Sequence, residues 1–123
     1  MLESQKKGIT DLEKLREHEY EYRLENYASN LSELTFRAYK AGSQGHFYRI
    51  TFQTTLYIQT PTYWNQGDFQ LATPEKYVEL VDDLGMSAVQ RKQLLLFIAS
   101  PANKPQVLIL CHTVFVSQEI PLP

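Results

Sequence analysis

Residues 47–59 read Phe-Tyr-Arg-Ile-Thr-Phe-Gln-Thr-Thr-Leu-Tyr-Ile-Gln, and their alternation decides the fold class. In an extended chain Tyr48, Ile50, Phe52, Leu56 and Ile58 share one face, and Arg49, Thr51, Gln53, Thr55 and Tyr57 share the other. Upstream, Leu34, Phe36 and Ala38 alternate in the same way with Thr35, Arg37 and Tyr39. Gly42-Ser43-Gln44-Gly45 lies between the two runs and supplies the permissive residues of a reversal. The two runs therefore read as an antiparallel hairpin. Pro61 ends the second run or places it at the margin of a sheet.

Downstream, residues 60–68 are irregular, with a turn expected at Asn65–Asp68 and a short returning strand at Phe69–Leu71. Thr73-Pro74-Glu75 starts a helix with an N-cap hydroxyl, a proline at the first helical position and an early acid. Tyr77, Leu80, Val81 and Leu84 then form a buried stripe, and Gly85 provides a left-handed stop. Ser87 with Gln90 has the pattern of a second short helix over 88–93. Leu94–Ala99 is apolar on every side and fits helix end or strand equally. Val107–Ser117 is the last strand, and its first half, apolar on both faces, belongs in the middle of a sheet. Pro121 and Pro123 keep the end extended.

The first thirty or so residues carry a helical reading. Thr10 and Glu13 match a capping box, and Leu12, Leu15 and Tyr22, with Tyr20, Leu24, Tyr27 and Leu31, form a drifting apolar stripe. Glu13, Glu17, Glu21 and Glu25 recur every four residues, which on a helix stacks four carboxylates along one face. The expected architecture is α+β: a mainly antiparallel sheet of three to five strands packed against helices, preceded by a long N-terminal helix. One domain over 1–123 is expected, with the acidic helix at 1–32 and the α+β body at 33–120.

Composition excludes more than it identifies. The chain has 123 residues, 43% hydrophobic and 21% charged, with a formal net charge of −2. These values fit a globular protein and argue against wholesale disorder. The charge is unevenly spread: residues 1–33 hold eight acids against five bases, and the remainder six against seven. The single cysteine, Cys111, excludes an internal disulfide, and no apolar run approaches a membrane span or a secretory leader. A cytoplasmic setting is the expectation.

No catalytic constellation emerges from the spacing. His18, His46 and His112 share no metal-ligand spacing, so neither metal nor cofactor is expected. Cys111 and His112, adjacent in a strand, point to opposite faces, and Cys111 reads as core packing. Asp82-Asp83 reads as a solvated helix end. Asp68 follows a turn glycine among aromatics and reads as a cap of its own turn. Neither phosphate-binding glycine loops nor a nucleophile elbow occurs.

The aromatics are the compositional anomaly, with eight tyrosines in the chain and seven of the fifteen aromatics within residues 47–69. Arg49 is the one Lys or Arg within residues 47–69, which argues against nucleic-acid binding. Tyr57, Tyr63 and Trp64 are read instead as contact residues for a protein partner, with the Glu13, Glu17, Glu21 and Glu25 face second. The competing reading of Trp64 is a plug for the open end of the sheet. The expected function is a non-catalytic protein-binding module (adaptor, regulator or assembly factor) that associates as a homodimer. The alternative is a small-molecule-binding protein or enzyme, its pocket between the sheet and the 74–84 helix, with Asp68, Tyr63 and His112 as polar groups.

Overall fold

The computed structural model describes residues 1–30, 32–40, 42 and 45–120. Leu31 of the expected helical stripe, Ser43 and Gln44 of the expected hairpin turn, and the C-terminal prolines lie outside the described residues. The order of elements is α1 (Glu3–Glu13), β1 (Glu21–Ala28), β2 (Glu33–Tyr39), β3 (Phe47–Gln53), β4 (Tyr57–Gln59), β5 (Tyr63–Asn65) and β6 (Gln70–Leu71). Then follow α2 (Pro74–Asp83), β7 (Leu95–Ala99), β8 (Val107–Cys111) and β9 (Thr113–Glu119). The class is α+β, with two antiparallel sheets where the sequence suggested one. The first sheet runs β5-β1-β2-β3-β9 and the second β4-β8-β7-β6.

Three chain runs pass from one sheet into the other. β3 continues as β4, and its partner β9 is the continuation of β8. β5 pairs with β1 in the first sheet, and β6, five residues on, pairs with β7 in the second. At the β3–β4 crossing Gln53 pairs with Thr113 but Tyr57 with Leu110, so three residues oppose two. Such an irregularity bends a strand. Thr54 takes φ +52° there, and the Thr55 hydroxyl donates to Phe52 O at 3.1 Å. This irregularity also removes Leu56 from the expected apolar face, leaving it 53% exposed.

The inner faces of both sheets close on one aromatic core. Phe36, Phe52, Trp64 and Phe69 are buried there with Tyr22, Ile50, Phe97 and Ile109. The Phe69 ring lies 5.2–5.5 Å from the rings of Tyr22, Phe36, Phe52 and Trp64, mostly edge to face. Each such pair contributes about 0.5–1.5 kcal/mol beyond its burial. Phe52 and Phe97, 5.5 Å apart, join the two sheets. Leu94–Ala99 resolves as strand over 95–99, and β8 sits between β4 and β7 with every residue buried. Its Val107, Ile109 and Cys111 face the main core, and Leu108 and Leu110 face α2.

α2 forms as its sequence signals require. The Thr73 hydroxyl accepts from Lys76 N–H at 3.3 Å, Pro74 opens the helix, and Leu80 and Val81 bury against Leu96, Leu108 and Leu110. Gly85 follows at φ +68°. The Ser87 and Gln90 bonds also form, at 2.8 and 3.2 Å, but residues 88–93 go on as turns instead of a helix.

The N-terminal helix is the main departure. It starts at Glu3, where Gln5 Oε1 accepts from Leu2 N–H at 3.0 Å, so Thr10 lies inside it and does not cap it. It ends at Glu13, and Glu21–Ala28 is a strand. The turn between them uses left-handed Glu17 (φ 66°) and Glu19 (φ 57°), conformations a helix cannot contain. Asp68 fixes that turn, accepting Glu17 N–H at 2.9 Å and the Tyr22 hydroxyl at 2.8 Å.

α1 lies against β9. The buried Gln5 amide donates to His112 O and Gln93 O, both at 2.7 Å, and Leu12 reaches the main core. Gly8 sets the approach, because a Cβ placed on it would lie 2.1 Å from Val114 O. Backbone on both sides cannot yield, so α1 must lift away in Gly8→Ala. A loss of about 3 kcal/mol is expected by urea denaturation, the upper end of overpacking costs. An unchanged midpoint would show that the helix does not pack this tightly.

Candidate functional site

Neither helix covers the outer face of the five-stranded sheet in its interior strands. α1 packs on β9 and α2 on the second sheet. Strand registers place Tyr63, Arg23, Arg37, Arg49 and Ser117 in a single row across all five strands. Directly opposed like charges destabilise a sheet, so this row requires neutralisation. Glu25 supplies it. This residue has no partner in the β1–β2 register, which slips between Leu24 and Asn26. Its carboxylate accepts from Arg37 Nε at 3.1 Å and from Arg49 Nη2 at 3.0 Å, and Glu119 accepts from Arg49 Nη1 at 3.0 Å.

Aromatic rings carry the guanidinium planes. Arg37 lies 4.0 Å from the Phe47 ring centroid, and Arg49 lies 5.4 Å from it. Arg23 meets the Tyr63 ring at 5.3 Å and the Tyr39 hydroxyl at 3.5 Å, where the other two arginines meet carboxylates. Lys104 approaches the same Tyr63 ring at 5.4 Å. The Tyr63 hydroxyl donates to Glu21, and that bond holds the phenol above its usual pKa. One row further, Thr35 and Thr51 meet at 3.4 Å beside Phe115, which is 48% exposed.

The residues expected to form a contact surface are divided by this geometry. Tyr63 lies on the face. Trp64 does not: it is 0% exposed, stacked on Tyr22 at 5.2 Å, its Nε1–H donating to Gly67 O at 2.7 Å. Residues 63–65 are strand rather than loop, and strand alternation turns Trp64 inward between Tyr63 and Asn65. Trp64 is thus an interior residue of a paired strand, neither an exposed contact nor the tip of a folded-back loop. Tyr57 packs on the opposite sheet beside the α2 cluster. Glu13, Glu17, Glu21 and Glu25 share no helical face: Glu13 ends α1, Glu17 lies in the turn, and only Glu21 and Glu25 join the arginine face.

No protein-family model matches the chain, nor does any curated protein or solved structure.

A cavity of about 350 Å³ lies beside α2 and β7, and its polar groups are not the expected ones. Leu71, Pro74, Tyr77, Val78, Leu96 and Arg91 are among its lining residues, and Tyr63, Asp68 and His112 are not. Asp68 is consumed by Tyr22 and the Glu17 amide, so it fastens a neighbouring turn and does not cap its own. His112 is the joint between β8 and β9: its N–H donates to Gln53 O at 3.1 Å and its carbonyl accepts from Gln5. Arg91 is held by Asp82 at 2.8 Å and by the Met86 carbonyl.

Among the described residues no three His, Cys, Asp or Glu side chains gather as a metal site would require. Also among them, no helix is long and apolar enough to cross a membrane. Arg23 and Arg37 lie outside the aromatic-rich stretch 47–69, which is why composition around those aromatics does not reveal them. The signal was present: Arg23, Arg37 and Arg49 each sit on the polar phase of an alternating run.

Cys111 is fully buried, and burial pushes its thiol up to about 12. At pH 8 the native thiol is protonated and shielded. Ellman's reagent is expected to label it only at the rate of unfolding, and prompt labelling in native buffer would contradict this packing.

Proposed function

We propose that this chain is a non-catalytic protein-binding module of the cytoplasm, and that the outer face of the five-stranded sheet is its contact surface. The row of Arg23, Arg37 and Arg49 set against Tyr63, Phe47 and Tyr39 carries the reading. Arginine and tyrosine are the residues most enriched at binding hot spots, and rings that fix a guanidinium reduce the entropy lost on contact. Glu21, Glu25, Glu33 and Glu119 balance the face, so it presents no excess positive field of the kind that attracts a phosphate backbone. A protein surface of mixed charge suits it better.

Association of two copies through this face is part of the proposal. Sedimentation equilibrium at low ionic strength should give a dimer that dissociates as salt rises, since exposed ion pairs are screened. A monomer at every concentration removes the dimer from the reading.

For the partner, Arg23→Glu combined with Phe115→Ser should abolish co-purification of proteins captured by the native chain in its host. Val89→Asp serves as a surface control, since Val89 is 76% exposed away from the face. Retained capture by the folded double variant would overturn the assignment of this face.

A further inference from the structure

A second cavity, separate from the arginine face, opens where α1 ends beside β3 and β9. It has a volume of about 340 Å³ and is lined by residues including Leu15, Val116, Tyr20, Tyr48, Lys14 and His18. Leu15 and Val116 give it an apolar floor. Tyr20 and Tyr48 form an aromatic corner, their ring centroids 5.7 Å apart and their planes at 80°. The His18 ring stands 6.1 Å from that of Tyr20, and Lys40 Nζ is 5.2 Å from the Tyr20 ring centroid. Burial, with Tyr48 adding to it, holds the Tyr20 phenol above its usual pKa, so it is a neutral donor that repels no anion.

One carboxylate in this cavity serves two ammonium groups. Asp11 is its acid, and Lys7 already occupies Asp11 Oδ2 at 2.6 Å. Lys14 reaches the other oxygen only at 3.6 Å, so its ammonium keeps donors free for a further acceptor. The turn that carries His18 to the rim is costly. Glu17 and Glu19 flank it in left-handed conformations, and Asp68 accepts the Glu17 amide to hold them there.

We infer that this cavity binds a small aromatic carboxylate, its ring against Tyr20 and Tyr48 over Leu15 and Val116, its carboxylate on Lys14. The volume lies at the lower end of ligand sites, which suits a single ring and excludes a dinucleotide. An edge-to-face aromatic corner favours a flat ring over a saturated one. An ammonium held by Asp11 only at 3.6 Å, beside an apolar floor, favours an anion over a neutral analogue.

Benzoate is the probe, followed by ¹H–¹⁵N NMR on the full chain, with benzyl alcohol and cyclohexanecarboxylate as comparators. Saturable shifts are expected at the Val116 and Gln118 amides with benzoate. Binding should be about tenfold weaker for benzyl alcohol and for benzoate with Lys14→Met, the change expected on losing a charge-assisted hydrogen bond. Lys14 is solvent-exposed, its side chain 71% accessible, so this variant keeps the fold. Tyr48→Leu should erase the preference for benzoate over cyclohexanecarboxylate. Shifts that never saturate, or equal affinity in Lys14→Met, overturn the site.

Discussion

The bend shared by residues 47–59 and 107–119 is the constraint on which both sheets depend. Two strands paired along their length leave one sheet and enter the other together, so their irregularities must coincide. Thr54–Leu56 supplies three residues where Cys111–His112 supplies two. Thr54 absorbs the excess in a left-handed conformation. Given that bend, Phe52 and Phe97 can face each other across the core, and Phe69 can close it from the third crossing run. A straight pair would leave one apolar face, with no second sheet to bury it.

The alternation of 34–39 and 47–53 was legible because a half-buried strand writes a period of two, whereas the break at 54–56, which exposes Leu56 and starts a strand of the second sheet, was not. α2 was legible because an N-cap, a first-turn proline and a C-terminal glycine all marked it. The N-terminal region misled for a specific reason. A spacing of four is compatible with a helix, but it is also an even number, and strands return to the same face every two residues. Glu21 and Glu25 therefore satisfy either reading, and the alternation of Tyr20, Tyr22 and Leu24 with Glu21, Arg23 and Glu25 was the better guide. Pairing to β2 and β5 decided the matter, and no local pattern encodes that.

The same limit applies to the arginine face. Arg23, Arg37 and Arg49 become neighbours only through register, and Glu25 reaches two of them at a slip in the β1–β2 pairing. Trp64 shows the converse: its neighbours in sequence suggested exposure, and a three-residue strand reversed it. Proline and tyrosine around it gave no sign that β1 would be its partner.

The seating of α1 on β9 has a consequence for how the chain resists its own kind. The side of β9 turned away from β3 would otherwise offer bare carbonyls to any passing strand. Gln5 engages His112 O, and Gly8 brings helix backbone over Val114 O. A helix laid along an unpaired strand blocks strand addition. At this edge a second copy cannot extend the ladder for as long as the first thirteen residues stay docked, so β9 is closed to strand addition while its side chains remain available.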